Sequence, residues 1–313
     1  MRKPYWHGLL LVIASLGLVL SACRPSAGVH FFAEGQPKTL DEWGVLRIED
    51  GKLHLNQGVV PYDLNTPLFS DYAHKLRTVW MPEGTSATYQ PEQSFDFPVG
   101  TILSKTFYYP LPAGTAWDGK SVARTPPSQS SLEGEALDLA KVRLVETRLL
   151  VHRAEGWVAL PYVWNEAQTQ ATLRRTGELV TQDLVDAAGA RETAEYQVPD
   201  QNQCGGCHIT DNKSRKLLPI GPKARHLNRD FDYAGGRENQ LAHLARPLRR
   251  HGRGHLTGVG EMAHALLQRL QGACDALAQP GRRTQEHQQR QAHREEGSAA
   301  QTRLFQRAAQ AVL

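Results

Sequence analysis

The sequence predicts a mainly β protein, a sandwich or jelly roll, followed by a small segment of short helix and loop and a C-terminal tail of low order. Three observations carry this. Short apolar alternations separated by turn signals recur over about 150 residues, the pattern of an antiparallel sandwich. No strand–helix–strand alternation of the kind that builds a parallel sheet interrupts them. Near Arg246 the composition breaks: Arg, Gln, His and Ala dominate, Phe305 is the last aromatic residue, and little remains to bury. At 313 residues and 40% hydrophobic, the chain has ample material for a core and exceeds one typical domain.

From the N-terminus, Met1-Arg2-Lys3 and the apolar run "GLLLVIASLGLVL" have the anatomy of a signal peptide and are too short to span a bilayer comfortably. The run ends in Leu20-Ser21-Ala22-Cys23, which resembles a bacterial lipobox. Residues 1–23 are therefore expected to be a lipoprotein signal with Cys23 lipidated, which anchors the mature chain in the cell envelope, facing the periplasm, at the outer membrane. Residues 24–39, containing Pro, Gly and Ser, are expected to act as a tether.

Residues 40–199 read as the β domain. In "LRIEDGKLHL", Leu46 and Ile48 alternate before Asp50-Gly51, and Leu53 and Leu55 after it, which predicts a type I′ hairpin. "FDFPVGTILSKTFYYPLP" has the β-branched and aromatic content of a strand, punctuated by Gly100 and prolines. "KVRLVETRLLVHRAEGWVALPYVW" predicts a longer hairpin, with Val145, Thr147, Leu149 and Val151 on one face and Glu155-Gly156 in the turn. Trp157, Tyr162 and Trp164 on its return strand are expected to pack on the sheet. Asp63, Asn65, Ser70 and Asp71 gather oxygen donors in "PYDLNTPLFSD", as either a ligand or Ca²⁺ site or ordinary Asx turns.

Residues 200–245 carry the chemistry. An exported chain with only Cys204, Cys207 and Cys274 besides Cys23 has an odd number of thiols, and a three-residue spacing closes too small a loop to staple a fold. Cys204-Gly205-Gly206-Cys207-His208 matches the attachment pattern of c-type haem: two thiols reach the two vinyl groups, and the next imidazole is carried beneath the iron as proximal ligand. A proximal histidine usually has a partner for its other ring nitrogen; Pro219 or Pro222 in "LLPIGPKARHLN" resembles the proline of small cytochromes c whose carbonyl takes that role, though Pro-x-Gly-Pro is also an ordinary turn. His226 and Met81 are candidates for the distal ligand, with Met262 further off. Zinc is the weaker reading because adjacent Cys207 and His208 rarely reach one tetrahedral ion and no second pair is in register. A thioredoxin-like redox pair lacks its βαβ setting.

The net charge of +4 sits mainly in the tail, where from Ala234 onward arginines outnumber acidic residues twofold and lysine is absent. The body has no basic, aromatic-interleaved helix, so no nucleic-acid partner is expected. It also has no phosphate loop, nucleophile motif or metalloprotease signature.

Taken in order, "PYDLNTPLFSDYAHK", "FPVGTILSKTF", "ETRLLV", "YVWNEAQTQATL", "YQVPDQNQCGGCH" and "PIGPKARHLN" resemble a bacterial family of dihaem c-type-cytochrome-like lipoproteins, often associated with a parallel β-helix protein. The resemblance implies an exported haem protein with a cytochrome c-like segment at residues 200–245. It also implies a second Cys-x-x-Cys-His further on, where this chain has only Cys274 followed by Asp275. One haem is therefore expected, and the departure, like the break at Arg246, is what a reading-frame shift in residues 246–313 produces. The expected function is electron transfer to a periplasmic or membrane redox partner. Two other functions stay open at this level: a haem enzyme with an open distal site, and a β-sandwich binding module with a vestigial haem segment.

Overall fold

The computed structural model describes residues 28–90, 92–126, 136–211 and 213–245. The strands among these are β1 (Leu46–Glu49), β2 (Lys52–Leu55), β3 (Val60–Tyr62), β4 (His74–Trp80), β5 (Ile102–Pro110), β6 (Ser121–Ala123) and β7 (Ala136–Asp138). They continue with β8 (Val142–Arg153), β9 (Gly156–Trp164), β10 (Ala171–Leu173), β11 (Glu178–Val185), β12 (Arg191–Val198), β13 (Asp230–Tyr233) and β14 (Gly236–Asn239). The helices are short: α1 (Cys204–His208), α2 (Ala224–Leu227) and α3 (Gln240–Ala245). Among the described residues no helix is long and apolar enough to cross a membrane.

A six-stranded antiparallel sheet, in the order β10-β9-β8-β5-β4-β3, forms the middle layer. On one face lies the sheet β1-β2-β7, and the core between them joins Leu46, Leu53, Leu55 and Leu137 to Leu76, Ile102, Leu149, Leu160 and Tyr162. This is the sandwich expected from the alternating pattern. Its centre is pinned by polar atoms as well, since Trp43 Nε1 donates to Tyr162 Oη at 2.7 Å and Tyr162 Oη donates to the Pro37 carbonyl at 3.0 Å.

The other face is covered too. The sheet β12-β11-β6 places Val122, Leu184, Tyr196 and Val198 over Phe107, Tyr109, Val145 and Val163. Beside it, Leu227, Leu217, Leu241, Leu244 and Cys204 pack on Val79, Leu103, Leu150, Trp157 and Ala159. Residues 200–245 thus share a core cluster with the middle sheet, and Pro199 marks a change of chain character rather than a break in packing. That segment is less helical than expected, because β13 and β14 form a hairpin within it.

The first hairpin forms as read. Asp50 and Gly51 have φ of 50° and 70°, the double positive φ that a type I′ turn demands. Two details of the second hairpin differ. Arg153 pairs with Gly156, so the turn residues are Ala154 and Glu155, one step earlier than expected. A β-bulge between β5 and β8 leaves Val145 unpaired and turns it to the face opposite Leu149 and Val151. An inserted residue reverses the alternation beyond it, which a strict period of two does not register.

The tether is also shorter than expected. Val29, Phe31 and Phe32 pack on the sandwich core, Thr39 bridges Thr172, and the Gly35 carbonyl accepts from Arg153 at 2.7 Å. The two adjacent phenylalanines supply apolar area that outweighs the loop-like Pro and Gly around them. The lipobox with Cys23, together with Met262, Cys274 and the frame-shift expectation for residues 246–313, lies outside the described residues.

Candidate functional site

The segment "VPDQNQCGGCH" folds into a single helical turn by local polar chemistry. The Asp200 carboxylate accepts from the backbone N–H groups of Asn202 (2.7 Å) and Gln203 (2.8 Å), while Gln203 Oε1 accepts from the Asp200 N–H at 2.8 Å. This reciprocal Asp-x-x-Gln pair closes the turn that leads into α1. The helix ends where Ile209 turns extended and bridges Leu217.

On α1, Cys204 and Cys207 are three residues apart and share a helical face. Cys204 is half-buried against the Leu103/Leu150 cluster, Cys207 is exposed, and both are free thiols. Burial raises the pKa of the Cys204 thiol, which keeps it protonated at neutral pH. Gly206 has open space around its Cα, and a Cβ on Gly205 would meet only the tip of the Ile209 side chain at 3.0 Å.

His208 is fixed from both ends of the residue. Its carbonyl accepts from the Leu218 N–H at 2.8 Å, and its Nδ1 donates to the Leu218 carbonyl at 2.7 Å. With a carbonyl as partner, Nδ1 carries the proton and Nε2 keeps its lone pair. Burial is the main cause of a lowered His208 pKa, against the opposing pull of the Leu218 carbonyl, and so favours the neutral imidazole that a metal requires. The partner is not a proline carbonyl as expected. The Pro219 carbonyl accepts from Ser94 Oγ and that of Pro222 from the Phe95 N–H, both fastening the segment to the β domain.

Behind α1 the middle sheet carries an unusual charge pattern. Arg77, Lys105 and Arg148 stand directly opposite one another on β4, β5 and β8. Arg77 is neutralised by Asp63 at 2.7 Å, and Arg148 holds the buried Glu146 carboxylate through Nε (2.8 Å) and Nη2 (2.5 Å), with Tyr196 Oη as a third donor (2.7 Å). Lys105 sits over the Phe107 ring at 5.1 Å and has no carboxylate partner among the described residues. Burial, reinforced by Arg148 and Arg77, lowers its pKa to about 7. The charges of Lys105 and Arg148 act on both Cys204 and His208. Sequence reading passed over these residues, although Lys105 within "SKTF" and the alternating Glu146 and Arg148 of "VETRLL" are a visible departure from an apolar inner face.

His226 and Met81 border the same region without joining the motif. Met81 packs on the apolar cluster that Cys204 joins, and His226 Nδ1 donates to the Gly221 carbonyl at 3.0 Å on α2, next to the buried Leu227. The oxygen-rich loop is used for fastening. Asp63 bonds Arg77 and the Leu64 N–H, Asn65 Nδ2 donates to the Arg225 carbonyl at 2.8 Å, and the Asp71 carbonyl accepts from Tyr109 Oη at 2.7 Å. Among the described residues no group of three or more His, Cys, Asp or Glu side chains gathers to hold a metal ion, so the zinc reading lacks a donor set.

The donors present fit covalent haem instead: two free thiols on one turn, small residues between them, and a neutral imidazole with one free nitrogen. No protein-family profile, curated protein or solved structure matches the chain.

Proposed function

We propose that the protein is an exported electron carrier of the c-type cytochrome kind, with haem bound covalently through Cys204 and Cys207 and iron ligated by Nε2 of His208. The observation that carries this reading is the double clamp between His208 and Leu218, which orients the imidazole on the same helical turn that presents both thiols. A ring whose Nδ1–H is held by a carbonyl is a more basic and better-aimed ligand, and here that ring stands on the turn that carries both thiols.

When bound, the haem supplies a one-electron iron couple. The chain's own Cys204 and Cys207 would attach it and the Leu218 clamp would orient His208, while Cys204 fixes the turn on the apolar cluster of Leu103, Leu150 and Trp157. His226 and Met81 are the candidates for a sixth ligand. The remaining expectations belong to the same reading: a lipid anchor at Cys23, an envelope location facing the periplasm, a redox protein as partner, one haem, and kinship with the dihaem lipoprotein family.

The test is the visible spectrum of the protein after expression with haem-maturation machinery. Electron carriage predicts a six-coordinate, low-spin spectrum unmoved by CO or peroxide. A five-coordinate spectrum that shifts on adding CO would replace this function with chemistry at an open iron site.

A further inference from the structure

The cross-strand row Arg77–Lys105–Arg148 places three like charges in direct register on adjacent strands, an arrangement that costs a sheet stability. The outer two are compensated within the chain, by Asp63 and Glu146. The middle one is not, and Lys75, 5.7 Å from the Phe107 ring that Lys105 and Arg148 also approach, adds a further cation. The row runs between two apolar clusters on one face of the sheet: Leu103 and Leu150 lie on one side of it, Phe107 and Val145 on the other. Cys204 packs on the first of these clusters, so α1 lies against the same seam. A half-buried lysine with cations on both flanks either sheds its proton or takes up an anion from elsewhere, so the row is a ready receiver for a carboxylate.

We infer that Lys105, flanked by Arg77 and Arg148, receives a carboxylate, and that this carboxylate is a propionate of the haem attached at Cys204 and Cys207. The assignment rests on the haem reading above. The chemistry required is a carboxylate delivered next to α1; the Asp200 and Glu146 carboxylates there are already engaged, by the Asn202 and Gln203 N–H groups and by Arg148 and Tyr196, whereas a haem brings carboxylates of its own. A small carboxylate from solution is the competing source. Lys105 acts here as a positioning residue for the cofactor.

The test compares wild type, Lys105→Met and Lys105→Arg, each as the full chain, matured with haem and haem-free. In matured protein, Lys105→Met is expected to weaken reduction at least tenfold, about 59 mV for one electron. It removes a positive charge and leaves a propionate unpaired. Lys105→Arg is expected to restore most of that loss. In haem-free protein the same Lys105→Met change is expected to raise the urea midpoint, because it relieves the like-charge row. Wild-type potential should not move with added acetate at constant ionic strength.

An unchanged potential in Lys105→Met overturns the inference, and a wild-type potential that follows acetate assigns the site to an anion from solution. If wild type takes up no covalent haem, the haem reading fails with it. A raised urea midpoint in haem-free Lys105→Met would then still report the charge row, which keeps the two failures distinguishable. Should Lys105→Met not mature, Lys105→Gln makes the same comparison.

Discussion

Single residues decide what the cysteine motif can do. Cys204 and Cys207 are alike in sequence and unlike in setting: one half-buried with its thiol pKa raised by burial, the other exposed. Since the thiolate is the reactive form, alkylation of haem-free protein at pH 8 is expected to modify Cys207 about tenfold faster than Cys204, as peptide mass spectrometry would read. Equal rates would mean that the Cys204 pocket is open. At this scale the motif residues were legible as candidates, because Cys-x-x-Cys-His is a spacing with a geometric reason. The identity of the carbonyl behind His208 was not. Leu218 precedes Pro219 by one residue, and only the bridge between Ile209 and Leu217 sets which carbonyl faces the ring. The charge row at Lys105 was hidden for a related reason: its neighbours Arg77 and Arg148 are distant in sequence and adjacent only through sheet register.

Elements hold the motif in place through a few buried polar contacts. Gln240, at the start of α3, is fully buried; its Oε1 accepts from the Asp63 N–H at 2.7 Å, and its Nε2 donates to the carbonyls of Asp63 (3.0 Å) and Leu227 (3.2 Å). Gln240→Ala strands those groups and is expected to lower stability by about 1–3 kcal/mol, read as a lower urea midpoint at unchanged slope. No change in midpoint would show that residues 200–245 are held by their apolar contacts alone. The hairpins were legible at this scale because alternation and turn chemistry agreed, as at Asp50-Gly51. The bulge at Val145 and the packing of Phe31 and Phe32 were not, since each depends on a partner strand that local pattern does not identify.

The whole molecule carries its charge in a way that couples stability to pH. Burial lowers the pKa of Lys105 to about 7 and that of Lys75 to about 8, against about 10.4 in an unfolded chain. Between those values the unfolded state binds more protons than the folded one, so stability rises with pH. The gain ends near pH 10, where buried Tyr62 and Tyr162, both pushed up to about 12, keep protons that the unfolded chain loses. Haem-free protein is therefore expected to be more stable to urea at pH 9 than at pH 7. A midpoint that falls over this interval would contradict the burial of the two lysines.

At this scale the β class was legible from spacing. The three-layer arrangement was not, because covering both faces of one sheet depends on long-range contacts between β5, β8 and the segments that follow Pro199. The central claim, covalent haem at Cys204 and Cys207, is tested most directly by the intact mass of the denatured protein after maturation. The expected product is a chain heavier by one haem, with the addition lost when both cysteines are replaced by alanine. A chain without the haem increment, in which Cys204 and Cys207 both titrate as free thiols, would contradict it.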